Sequence, residues 1–297
     1  MQTIKTLLTA LSLFLLLTAS HGQASDDDFA ASSYRRTLRA TAWVLTRESS
    51  GTGFVVDRSR RWMVTNCHVV KTNSVVNVVF PVWKGGELVD DREYYWQNWQ
   101  ALAIPGRVIH RDPSRDLALI ELRRLPRNAP ALPLAVEMPA LGETIHRVGS
   151  PAAAGDVWKL TSGRVHAFGR QTRDWDGQHV NARMIVTKVA GRFGDSGGPV
   201  INSRGEVVGV HSSGDNQWSH CIHVKELRTF LAEVEESVDS VSARALVGIP
   251  QVRLSSLTRR CGGRLESLTY LASQAGKSDL LGAGKPGRPA GRAALYW

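Results

Sequence analysis

Short β-branched runs bounded by turn residues set the strongest limit on what this chain can fold into. VVNVVF at 75–80 and VVGV at 207–210 are the plainest. Val and Ile lose rotamer freedom in a helix and pack well on a pleated surface. Similar stretches recur: ATAWVL (40–45), SGTGFVVD (50–57), RWMVTN (61–66), RVIH (107–110) and DLALIEL (116–122). A second series runs from ETIHRVG (143–149) to VVGVHS (207–212). The spacing predicts an all-β barrel or sandwich rather than alternating helices and strands.

Three segments break the pattern. Residues 83–100 carry charges and five aromatics and are expected as a long loop. Residues 122–139 hold four prolines and read as a connector. LRTFLAEVEESV (227–238) puts Leu227, Phe230, Leu231 and Val234 on one helical face. The outline is two β-rich halves (25–135 and 136–240), joined by a connector and closed by one helix. With 297 residues and 42% hydrophobic content, the chain can bury a sizeable core.

The ends have a different character. Lys5, the largely apolar stretch Leu7 to Ala19 and the small residues of Gly22-Gln23-Ala24 form the pattern of a cleaved export signal over 1–24. Thirteen residues fall short of the roughly 20 that a membrane span needs. The expected destination is the periplasm or the exterior. Residues 241–297 carry nine Lys or Arg against Glu266 and Asp279, in a Gly- and Ser-rich background. This tail is expected to be disordered and to contact anionic surfaces weakly; with no interleaved aromatics beyond Tyr270, Tyr296 and Trp297 it predicts no specific nucleic-acid binding. The rest of the chain is close to neutral. Cys67, Cys221 and Cys261 are too few for a disulfide framework. Cys221 with Cys261 is the one pair worth considering, and Cys67 reads as a buried thiol. His220-Cys221-x-His223 lacks a distant fourth ligand, so no metal and no cofactor are expected.

GRFGDSGGPV at 191–200 places Ser196 among glycines between two strand-like flanks. Alone it is either a surface turn or a nucleophile with backbone amides beside it. A serine hydroxyl needs a neighbouring base, and the base an orienting group. His68, in WMVTNCHVV, leaves the end of an apolar strand. Asp116 immediately precedes the apolar run Leu117 to Ile120 and needs a partner if buried. Asp112 is its rival, with a turn-capping role through Pro113 as the alternative.

Together TNCHVV, DLALIEL and GDSGGPV resemble the chymotrypsin-like serine peptidases, and more closely the HtrA/Deg-type peptidases of bacteria. SGTGFVVD, VGSP (148–151) and WKLTSGRVHAFGR (158–170) support the resemblance, which spans about residues 33–225. It implies two six-stranded antiparallel β-barrels with a C-terminal helix, and an exported serine endopeptidase acting on proteins or peptides. The competing possibility is a catalytically inactive binding module on the same fold. By the resemblance Ser196 is the nucleophile, His68 the general base and Asp116 its orienting acid. The amides of Gly194 and Ser196 form the oxyanion hole. Ser212 lines the cleft and bonds Asp116.

The same resemblance implies a primary specificity pocket built from Ala190, Ser212 and Gly214. It offers no acid to pair with Arg or Lys, so small or medium apolar residues are expected before the cut. Two departures stand out. The 57 residues after position 240 leave no room for the PDZ domain that usually follows in this family. Asp195 precedes the serine where asparagine is common, and no activation site lies upstream to supply an N-terminal partner, so Asp195 is expected to pair elsewhere.

Overall fold

The computed structural model describes residues 26–150, 157–175 and 178–247. A first helix, α1 (Asp26–Ala40), leads into a closed six-stranded antiparallel barrel. Its strands are β1 (Thr41–Leu45), β2 (Ser50–Asp57), β3 (Trp62–Thr65), β4 (Val75–Val79), β7 (Ile104–Asp112) and β8 (Leu117–Leu122), in the order β1-β2-β3-β8-β7-β4. One helical turn, α2 (Cys67–Val70), sits between β3 and β4. A second closed barrel contains β9 (Thr144–Gly149), β10 (Lys159–Trp175), β11 (Gln178–Thr187), β12 (Pro199–Ile201), β13 (Val207–Gly214) and β14 (Ser219–His223). Helix α5 (Val224–Val247) follows. The expected two six-stranded barrels and closing helix are therefore present.

Side-chain alternation explains why β8 reads as an unbroken apolar run. Successive residues of a strand point to opposite faces. Ala118, Ile120 and Leu122 fill the first barrel beside Val44, Val55, Met63 and Ile104. Leu117 and Leu119 point the other way, into a core shared with Met184, Val210 and Ile222 of the second barrel. Leu227, Phe230 and Val234 of α5 enter that same cluster. Fully burying each such side chain contributes about 1.5–3 kcal/mol, which fastens the helix across both barrels.

Two segments differ from expectation. Residues 83–100 are not a loop. They form a small hairpin, β5 (Trp83–Lys84) with β6 (Glu87–Leu88), then two short helices, α3 (Arg92–Gln97) and α4 (Trp99–Leu102). The aromatics supply the reason: buried Tyr95 donates to Val89 O (2.6 Å) and accepts from the Trp158 indole (2.9 Å). Helix α1 was hidden because its start, DDDFAASS, reads as an acidic, polar lead; among its described side chains, Thr37, Leu38 and Ala40 of the last turn are buried. The signal segment lies outside the described residues; of the tail expected as disordered over 241–297, residues 241–247 instead continue α5, and the rest lies outside the described residues.

Candidate active site

Asp116 is anchored first. Its turn is capped by Asp112, whose Oδ1 accepts from the Ser114 hydroxyl (2.6 Å) and the Arg115 amide (3.0 Å). Arg115 reaches from that turn to Asp112, Glu226 and Glu233, which ties the turn to α5. Asp112 is thus committed to the turn. Asp116 follows with φ 54°, a left-handed conformation that aspartate tolerates better than most residues. Its carboxylate is fully buried.

Helix α2 brings His68 to it. The Asp116 carbonyl accepts from the Asn66 side chain (2.8 Å) and the Cys67 amide (3.2 Å). The His68 amide donates to Asp116 Oδ1 (3.1 Å). His68 Nδ1 lies 3.0 and 2.9 Å from the two carboxylate oxygens. A ring nitrogen facing a carboxylate at this range carries the proton, which leaves Nε2 as the basic nitrogen.

Ser196 arrives from the second barrel. Its Oγ donates to the Ser212 carbonyl (3.1 Å), while the Ser212 hydroxyl donates to Asp116 Oδ2 (2.7 Å). One residue of β13 therefore touches both Asp116 and Ser196. Just before the serine, a turn closes through the Asp195 amide onto Arg192 O (3.1 Å) with Gly194 at φ 98°. A positive φ at that position is the requirement of a type II turn, and glycine meets it without strain. Gly197, at φ 85°, packs directly against Thr52 O, where any side chain would collide. Neither the Gly194 nor the Ser196 amide donates to a backbone carbonyl among the described residues.

Of the expected pocket residues, Gly214 packs against Gly191, the neighbour of Ala190. A side-chain carbon placed on Gly191 would sit 2.7 Å from Gly214 Cα, and the Gly191 amide donates to Asp215 O (2.8 Å). The segments at 190–191 and 214–215 thus touch. Beneath them Arg147 donates to Ala190 O (2.8 Å) and to Ser219 Oγ (3.0 Å), with His211 Nδ1 at 3.2 Å.

Arg147 also answers where Asp195 pairs: Nη2 lies 3.0 Å from Asp195 Oδ2. Burial pushes the Asp195 carboxyl above its usual range, and Arg147 counteracts part of that push. Sequence reasoning passed over this arginine. Its signal was there: in ETIHRVG, Ile145 and Arg147 are two apart and face the same way, into the barrel. An inward-facing charge requires a partner. Burial pushes the thiols of Cys67 and Cys221 up to about 11 and about 12, so both are inert at neutral pH. Both are free; Cys261 lies outside the described residues.

Residues 51–210, more than half of the chain, match the family model described as the trypsin-like peptidase domain. The periplasmic serine endoprotease DegP of Salmonella typhimurium is 30% identical over 164 residues, covering 55% of this chain and 30% of DegP. The mitochondrial serine protease HTRA2 of Bos taurus is 31% identical over 213 residues, 70% of this chain and 42% of HTRA2. The chain thus spans less than half the length of these relatives. Among solved structures, the active form of the Rv3671c protease from M. tuberculosis shares the fold with a TM-score of 0.54 and 24% identity. That match covers 67% of this chain and 82% of the other. The chain belongs to the trypsin-like peptidase domain family.

Proposed function

We propose that the protein is an exported serine endopeptidase that works through His68, Asp116 and Ser196. The observation that carries this reading is the 2.9–3.0 Å contact between His68 Nδ1 and the buried Asp116 carboxylate, coupled through Ser212 to Ser196. In this scheme the Ser196 hydroxyl rotates off the Ser212 carbonyl and attacks the substrate carbonyl as His68 Nε2 takes its proton. The oxyanion is held by the Gly194 and Ser196 amides, each such donor being worth roughly 3–4 kcal/mol. His68 then hands the proton to the departing amine, leaving an acyl-enzyme. Water, deprotonated by His68, releases the acid and restores Ser196. Asp116 fixes the tautomer and stabilises the imidazolium.

The chemistry needs protein or peptide substrates, and the periplasmic relatives together with the N-terminal sequence pattern support export. The touching segments at 190–191 and 214–215 and the Arg147 cation beneath Ala190 favour small or medium apolar residues before the cut over Lys or Arg. Covalent labelling by a fluorophosphonate probe tests the reading. The purified protein should be labelled and Ser196→Ala should not; a folded wild-type protein that resists the probe would refute the nucleophile.

A further inference from the structure

Thr52, on β2 of the first barrel, is fully buried and turns its hydroxyl and its amide toward the neighbourhood of Ser196. Its hydroxyl donates to Gly194 O (2.7 Å) and accepts from the Ser150 amide (3.1 Å). Its own amide donates to Ser196 O (2.7 Å). Its carbonyl accepts from Thr65 Oγ1 (2.7 Å), which steadies it from β3.

The consequence is a nucleophile turn held by its peptide planes. The Gly194–Asp195 peptide is pinned at both ends, its carbonyl by the Thr52 hydroxyl and its amide on Arg192 O. The Ser196–Gly197 peptide is pinned likewise, its carbonyl by the Thr52 amide and its amide on His211 O (2.8 Å). The Asp195 carbonyl accepts from the Gly198 amide (3.0 Å). The Ser196 amide, in the Asp195–Ser196 peptide, thus has a fixed direction, and the Gly194 amide, in the Phe193–Gly194 peptide, is joined to the pinned Gly194–Asp195 plane through the Gly194 Cα alone. Gly194 is the vulnerable point, because glycine rotates readily once its carbonyl is released.

We propose that Thr52 is a positioning residue: its hydroxyl, reaching across from the first barrel, keeps the Gly194 amide aimed at the reacting oxygen. The proposal rests on the reading of Ser196 as nucleophile with Gly194 and Ser196 as oxyanion donors. Thr52 acts through Gly194 and does not touch substrate. A side chain of the same shape without the hydroxyl would fill the space but leave Gly194 O and the Ser150 amide unpaired in the interior.

The test is the second-order rate of fluorophosphonate labelling of the full chain, because the probe develops charge on the oxygen that the two amides face. Thr52→Ser should stay within about threefold of wild type and Thr52→Val should fall about 10- to 100-fold, short of the roughly 10²–10³ for deleting a donor outright. The pH midpoint of labelling should not move, since His68 and Asp116 are untouched; general loosening of the site would move both rate and midpoint. If Thr52→Val does not fold, Thr52→Cys serves, because its weakly donating thiol should still label several-fold more slowly than Thr52→Ser. A folded Thr52→Val or Thr52→Cys that labels at the wild-type rate overturns the role of Thr52. Failure of wild type to label overturns the reading of Ser196 itself, and is recognisable because wild type and Thr52→Ser then fail alike.

Discussion

Arg147 Nη2 lies 3.0 Å from Asp195 Oδ2, with neither side chain more than 4% exposed. The pair joins the interior of the second barrel to the residue next to Ser196. Removing one partner of a buried pair strands the other, at a cost of about 3–5 kcal/mol. Arg147→Met should therefore lower the urea midpoint sharply. Adding Asp195→Asn should recover a large part of the loss, since no charge then remains to compensate. If the double variant is as unstable as the single one, the other contacts of Arg147, to Ala190 O and Ser219, dominate its contribution.

Because the cation facing Asp195 comes from within the chain, no newly cut N-terminus is needed to balance it. Protein expressed from Ser25 should accept the fluorophosphonate probe without added protease. Labelling that appears only after trimming near Arg39 would contradict this and would give α1 an inhibitory role.

Asp116→Asn should reduce turnover by about 10⁴ through loss of the required His68 tautomer. Ser212→Ala removes one hydrogen bond to a buried carboxylate, worth roughly 1.5–3 kcal/mol, so a loss of about 10- to 100-fold is expected. Asp112 cannot substitute, being held by Ser114 and Arg115. Near-native activity in Asp116→Asn would remove Asp116 from the mechanism.

The specificity reading is checked with a peptide library. Cleavage should follow Ala, Val or Leu, with little after Lys or Arg, because Arg147 already places a cation under Ala190. A single methylene is worth only about 1–3 kcal/mol in such a pocket, so preference within the apolar set should be shallow. A profile dominated by basic residues would exclude Ala190 and Gly214 from the pocket.

What the sequence made legible follows from period and motif. Most strands with a clear two-residue alternation or a dense β-branched run were visible to within a residue or two, though β7 begins three residues before RVIH, and the motifs carrying His68, Asp116 and Ser196 could be read in order. The misses share one cause. Helix α1 and the aromatic segment at 83–100 owe their form to a few contacts made across the fold, such as Tyr34 to the Trp158 carbonyl and Tyr95 to the Trp158 indole. Thr52 was equally opaque: SGTGF reads as an ordinary strand, and only the second barrel reveals what its hydroxyl meets. Arg147 was the exception, a charge on an inward strand position that period alone could have flagged.

Stability should fall on mild acidification, and His211 is a principal cause. It is 1% exposed, and burial, then Arg147 and His68, hold its pKa well below the ordinary value. Its Nδ1 faces the Arg147 guanidinium at 3.2 Å, so the fold requires the neutral ring. The unfolded chain takes up that proton near pH 6.5, while the folded one does not. The stabilisation is therefore intact above about pH 6.5 and is lost progressively as pH falls toward the depressed folded value, by up to about 1.4 kcal/mol per pH unit for one proton. His223, also lowered chiefly by burial, acts in the same sense. Asp195 works the other way: its folded pKa is raised, so its contribution is full below the ordinary carboxylate value and is lost as pH rises through the raised one. Comparing variant with wild type at each pH cancels Asp195 and isolates the imidazole. His211→Asn keeps an acceptor for Arg147 and removes the titration, so urea unfolding at pH 7.5, 6.5 and 5.5 should show a shallower decline than wild type. Parallel declines in the two proteins would show that His211 is protonated in the folded state, against the geometry of its contact with Arg147.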